Sequence, residues 1–279
     1  MVLSFSKIYL ILMARANRHY IPGCAWHITH RCHKKEFLLK FSRDRDRWVR
    51  WLHEARKRYG LTILNYTVTS NHIHLLVLDS DQNTIPKSMQ LVAGRTAQEY
   101  NQRKNRKGAF WEDRYHATAV QSDRHLLSCM IYIDLNMVRA GVVKHPSEWK
   151  TSGYNEIMHP PKRYALIDQI RLKNILGFSD RAAMISTYSQ LLDQTLQNNS
   201  LQRQVAWTES IAVGNEDFIS ETKRELASRA VGRDIHVRDG ILGLREPYVS
   251  YNAHFDPEKG VLSPENTYFW NINSDISIS

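Results

Sequence analysis

Residues 61–80 read LTILNYTVTSNHIHLLVLDS, and the way this stretch folds decides the rest. Both halves are rich in aliphatic, aromatic and β-branched residues, and they meet at Ser70-Asn71, a turn-type pair. The stretch is therefore a β-hairpin or one long bent ribbon. Side chains alternate faces along a strand, so His72 and His74 point one way and Ile73 the other. Two imidazoles side by side suit a metal ion, neutral imidazole being the commonest protein ligand. The other reading is a pair of strand histidines on a solvated face. The apolar company in HIHLLVL makes plain solvation a poor fit.

Working outward, Cys24–Cys32 (CAWHITHRC) has the composition of a strand. Asp44–Gly60 is an amphipathic helix by pattern, with Trp48, Trp51, Leu52 and Ala55 at helical spacing and Gly60 as its stop. A second helix is expected from about Ile85 to Asn105. Ala109–Val120 suits a further strand. Asp123–Gly141 reads as a helix, capped by Asp123 and ended by Gly141. Strand, helix, strand, strand, helix, strand is the split βαβ order. The expected class is α+β: a ferredoxin-like antiparallel sheet with its helices on one face, followed by a mainly helical C-terminal extension. HPPKRY (His159–Tyr164) is the expected linker, which divides the chain into 13–160 and 161–279.

The chain has 279 residues, a net charge of +10 and a pI near 9.5. The charge is uneven. Residues 1–160 hold 25 Lys and Arg against 13 Asp and Glu, while residues 161–279 hold 13 against 15. The whole basic excess thus accompanies the paired histidines and implies a polyanionic partner. Three unpaired cysteines, with no C-x-x-C, argue against a disulfide framework or zinc ribbon and for a reducing cytosol. The apolar run in residues 1–12 is too short to span a bilayer and lacks the flanks of a signal peptide, so it reads as a leader outside the fold, with Met13 as an alternative start.

Tyr132 and Asn136 are four residues apart and share a helix face. Tyrosine forms covalent intermediates, but an ordinary pKa of about 10 makes it a weak nucleophile unless a base or metal assists. An amide oxygen one turn on would make a third metal ligand. Simple core packing of Tyr132 beside Ile131 and Ile133 explains the spacing as well. Arg45, Arg50, Arg58, Arg103, Lys104, Arg106, Lys107 and Arg114 supply phosphate partners, and the aromatics among them suit stacking on unpaired bases. A solvated helix face is the bland account of any one of them. HITHRCH (His27–His33) does not gather four ligands on one strand face, so a zinc site there is not expected.

MARANRHYIPG, WHITHRC, SNHIHLLV, GAFWEDRYHA and YIDLNMVRAG occur in that order. Together they resemble the single-tyrosine HUH (IS200-like) transposases, and among these the REP-associated tyrosine transposases, over roughly Met13 to Tyr154. REPYVSYNAHF further on is similar to the extension of longer members. The resemblance implies that His72 and His74 are the metal-binding HUH histidines, that Tyr132 is the nucleophile and that Asn136 is the third ligand. Met137 stands where the family has proline. It further implies Mg²⁺ or Mn²⁺ as cofactor, single-stranded hairpin DNA of REP-like repeats as partner, a 5′-phosphotyrosine intermediate, a monomer or homodimer, no membrane, and a cytoplasmic, nucleoid-associated location. The alternative reading is a regulator that binds hairpin DNA without catalysis.

Overall fold

The computed structural model describes residues 21, 23–122, 124–226, 233–238 and 240–245, all in one compact unit. The leader at 1–12, the cap at Asp123 and the REPYVSYNAHF segment beyond Arg245 lie outside the described residues.

The chain begins with β1 (Ala25–Arg31), α1 (Ser42–Tyr59), β2 (Thr62–Val68), β3 (His72–Leu78), α2 (Thr84–Arg103) and β4 (His116–Val120). The strands stand in the order β2-β3-β1-β4, every neighbouring pair antiparallel. This is the ferredoxin-like arrangement, and β2 and β3 are the two arms of the hairpin. Its turn is tight because Thr69 N–H donates to the His72 carbonyl (2.9 Å) while the Thr69 hydroxyl also donates to it (2.8 Å).

One face of the central strands presents Ile73, Leu75 and Val77, all fully buried. α1 and α2 pack against each other, α1 through Trp48, Trp51, Leu52 and Ala55. Gly60, at φ 69°, ends α1 in a left-handed turn that glycine adopts without strain. α2 belongs to the Ile73 side: Trp111, stacked on His30 at 4.0 Å, donates its indole N–H to the Ala93 carbonyl, and His30 pairs with Ile73 in the ladder.

The opposite face carries the histidines, and the rest of the chain covers it. α3 (Arg124–Asp134) and α4 (Asn136–Arg139) take the place of the single helix expected over 123–141, divided at Leu135. There follow α5 (Tyr154–Met158), α6 (Gln169–Ile175), α7 (Arg181–Gln197), α8 (Ala206–Glu209), β5 (Ala212–Val213), α9 (Glu216–Leu226), β6 (Asp234–Arg238) and β7 (Ile241–Arg245). Beyond residue 160 the chain is helical as read, but it also adds three strands. β5 pairs parallel with β4, then β7 and β6 follow antiparallel, giving one mixed seven-stranded sheet. These strands escaped reading because β5 has two residues and β6 is exposed along its whole length, so neither shows the alternation of a half-buried strand.

Gly153 seals the junction of β2 with α5. Its N–H donates to the Tyr66 carbonyl (2.7 Å). An added Cβ would press on Asn65 Oδ1 and stand 2.8 Å from Ile167 Cδ1 and 3.1 Å from Tyr66 N. Gly153→Ala should therefore destabilise the fold by about 1–3 kcal/mol, the usual size of an overpacking penalty. Denaturant unfolding beside wild type measures it, and an unchanged midpoint would refute this account of the junction.

Candidate active site

The β1–β3 register sets Thr29 opposite His74 and Arg31 opposite His72. His27, two residues before Thr29, therefore joins the same face as both histidines. The rings of His72 and His74 lie 5.0 Å apart, edge to face. His74 Nδ1 is 2.8 Å from His27 Nε2, and His27 Nδ1 is 2.9 Å from the Trp207 carbonyl. The hairpin turn grips His72, whose Nδ1 lies 2.9 Å from the Thr69 hydroxyl and 2.7 Å from Asn71 Oδ1. The Thr69 proton is already given to a carbonyl, so His72 Nδ1–H donates and its Nε2 keeps a lone pair.

α3 lays Tyr132 over this face, its ring 5.9 Å from His74 and 6.2 Å from His27. Asn136, just past the break at Leu135, brings its side-chain nitrogen to 2.8 Å from His74 Nε2. Its amide also hydrogen-bonds His72. Tyr132, His72, His74 and Asn136 thus meet at one point, in an open cavity of about 700 Å³ whose rim includes Arg31, Arg114, Arg139 and Arg203.

Electrostatics here follow from burial beside cations. Desolvation lowers the His27 pKa to about 3 and His72 to about 4, and takes His74 well below the ordinary imidazole value. Arg139 adds to each shift. The three rings are neutral at pH 7, and those of His72 and His74, which line the cavity, suit a Lewis acid. Burial raises the Tyr132 pKa, while Arg139 and Arg203 pull it back. The Arg139 guanidinium sits 4.1 Å from the centre of the Tyr132 ring and donates to the Tyr132 carbonyl (2.6 Å).

Two imidazole nitrogens and an amide side chain fit a divalent ion by donor chemistry. Among the described residues no group of three or more His, Cys, Asp or Glu is arranged to hold one; the candidate set here relies on an amide instead.

The basic residues divide. Arg114 is exposed at the cavity rim. Lys104 and Lys107 are exposed beyond the end of α2. Arg50 and Arg58 are exposed and share their charge with Glu99 and Glu54. Three others brace the fold. Arg45 donates to the Leu39 and Lys40 carbonyls and lies over Trp149. Arg103 is paired with buried Asp44, and Arg106 ties Asn101 to the Ala109 carbonyl. The sequence reading did not include His27, Trp207, Arg139 or Arg203 in the site. Only Arg139, three residues after Asn136, offered a local signal.

A buried carboxyl anchors the helix that carries Tyr132. Asp134 accepts from Asn65 Nδ2 (3.1 Å) and from the Tyr188 hydroxyl of α7. Burial raises its pKa from 3.8 to about 7. The folded chain therefore holds this proton where the unfolded chain has lost it. The stabilisation is complete below pH 4 and is lost as pH rises to 7. Asp134→Asn should flatten the fall in unfolding free energy between pH 4 and 7; an identical slope in the variant would refute the assignment.

Residues 20–136 match the family described as transposase, IS200 like. No protein of curated function matches the sequence. Among solved structures, the chain is similar to a REP-associated tyrosine transposase bound to a REP hairpin, at 18% identity and a TM-score of 0.44, over 53% of this chain and 87% of that one. It is also similar to a candidate transposase from Deinococcus radiodurans R1, at 18% identity and a TM-score of 0.29, over 37% of this chain and 83% of that one.

Proposed function

We propose, from an IS200-like transposase domain at residues 20–136, that the protein cleaves and rejoins single-stranded DNA at hairpin-forming repeats through Tyr132. The observation that carries this reading is the meeting of Tyr132 with His72, His74 and Asn136 in one cavity rimmed by arginines. A tyrosine on helix spacing alone is ordinary core; a tyrosine edge-on to two neutral histidines in an open, cationic cavity is placed for phosphate chemistry.

Tyr132 Oη attacks the scissile phosphorus as its phenolic proton passes to water in the cavity. The P–O3′ bond breaks, the departing oxygen takes up a proton as a free 3′-OH, and the 5′ side stays on the tyrosine. Attack by another 3′-OH reverses the step without ATP, because the phosphodiester energy is kept. His72, His74 and Asn136 would hold Mg²⁺ or Mn²⁺, of which Mn²⁺ suits mixed nitrogen and oxygen donors better. That ion supplies positive charge at the non-bridging phosphate oxygens. Arg139 and Arg203 favour the phenolate and cancel part of the cost of its burial. Arg31 and Arg114 at the rim suit the flanking phosphates, whereas Arg50 and Arg58 on α1, and Lys104 and Lys107 beyond α2, would meet only DNA that passes around the edge of the sheet. Catalysis in this site is positioning plus charge stabilisation.

The deciding experiment incubates end-labelled single-stranded hairpin oligonucleotides, taken from repeats flanking the gene, with protein and Mn²⁺, followed by a denaturing protein gel. Wild type should give a labelled protein band that Tyr132→Phe lacks. Cleavage without a band would mean a water nucleophile. Hairpin binding with neither product would establish the non-catalytic regulator.

Arg203 separates the roles within the site. Arg203→Ala should slow adduct formation about 10²-fold, the usual loss when one preorganised donor is removed, while hairpin affinity changes little. Loss of affinity with an unchanged rate in the bound complex would make Arg203 a DNA contact instead.

A further inference from the structure

We propose that His27 is a positioning residue, which with the Trp207 carbonyl fixes the ring and tautomer of His74 so that His74 Nε2 faces the cavity unprotonated. The inference rests on the reading of His72, His74 and Asn136 as metal ligands.

The hydrogens on the two rings can be counted. A carbonyl oxygen only accepts, so at 2.9 Å from Trp207 O the His27 Nδ1 must carry a hydrogen. A neutral ring has one such hydrogen, which leaves His27 Nε2 as an acceptor. His74 Nδ1, at 2.8 Å, must then be the donor. The single hydrogen of His74 is thereby placed on the sheet side, and Nε2 is bare. The contact on the cavity side agrees: the Asn136 side-chain N–H lies 2.8 Å from that atom and donates to it. Both rings are almost wholly buried, and every nitrogen of the pair meets an uncharged partner.

His27 is not itself a ligand in this arrangement, since neither of its nitrogens borders the cavity: one meets the Trp207 carbonyl and the other His74. Its effect passes through His74, as an outer partner's does when it orients a metal-binding imidazole and raises its basicity. The outermost link comes from far along the chain. Trp207 is buried on α8, its indole N–H donates to Gln204 Oε1 (2.8 Å), and Thr118 of β4 reaches the Trp207 and Ser210 carbonyls at 3.2 and 2.7 Å. The segment after residue 160 thereby becomes part of the catalytic centre.

The test uses full-length protein without metal and with Mn²⁺. Long-range ¹H–¹⁵N spectra of the metal-free wild type should show both His27 and His74 protonated at Nδ1 and bare at Nε2. Calorimetric titration with Mn²⁺ should then show affinity falling about 10- to 100-fold in His27→Leu. His27→Gln should recover most of it, because its amide offers both an acceptor and a donor. Circular dichroism and melting curves establish that the variants fold. An Nε2–H tautomer at His74, an imidazolium at His27, or an unchanged constant in a folded His27→Leu would each overturn the proposal. Should His27→Leu not fold, the wild-type tautomers and the His27→Gln constant decide it. Wild type that binds no Mn²⁺ would sink the metal reading and the role of His27 with it, whereas wild-type binding with an unaffected His27→Leu would remove only that role.

Discussion

Everything at the site depends on the antiparallel ladder between β1 and β3. It is a seven-residue ladder from Ala25↔Leu78 to Arg31↔His72. Because strand side chains repeat every two residues, this one register places His27, Thr29 and Arg31 on the face of His72 and His74. A slip of one residue would turn β1 over and bring Ile28 and His30 there instead. What fixes the register is the other face. Ile28, Ile73, Leu75 and Val77 are all fully buried, and exposing that set would cost about 1.5–3 kcal/mol per side chain. The apolar side of the sheet thus sets the geometry of the polar side. The substitution most damaging to the histidine cluster need not touch a histidine.

Three buried imidazoles are costly unless each nitrogen has a partner. The structure meets the requirement by covering the histidine face from two directions. α3 and α4 bring Tyr132 and Asn136, and α8 brings the Trp207 carbonyl. Asp134 fastens the first of these, since it joins α3 to Asn65 of β2 and to Tyr188 of α7. The position of Tyr132 is therefore held by the same polar contacts that dock the later helices. A chain ended after residue 160 would keep the ferredoxin-like strands but leave His27 Nδ1 and the Asp134 carboxyl short of partners.

The sequence made legible what depends on near neighbours. The hairpin, the alternation that pairs His72 with His74, and the four-residue step from Tyr132 to Asn136 are all local patterns, and the fold carries them. His27 was unreadable because its partners lie 47 and 180 residues away, the first brought in by the ladder and the second by the docking of α8. The arginines show the opposite failure. Charge alone does not say whether a guanidinium meets solvent or a buried carboxylate. Arg103 and Lys104 are adjacent in one basic cluster, yet the first is tied to Asp44 while the second is exposed. The strands beyond residue 160 were hidden for a different reason, being too short or too exposed to carry a period.

Burial and charge pull the site in opposite directions, and the compromise accounts for its shape. Burial keeps the imidazoles neutral, but the same burial raises the Tyr132 phenol and makes the phenolate harder to form. A closed pocket would favour neutral imidazoles and oppose an ionised phenol. The cavity is open instead, and the arginines stand on the tyrosine's side of it: Arg139 over the ring, with Arg203 hydrogen-bonding to Tyr132. Arg139 opposes protonation of all three histidines and Arg203 that of His72, while both favour ionisation of the phenol. The order of burial follows the same division. The inner ring, His27, is sealed and serves only as a support; His74 is sealed on its sheet side; His72 and Tyr132 border the opening, where a phosphate would enter. This gradient of burial lets neutral imidazoles and an ionisable phenol coexist on one sheet face.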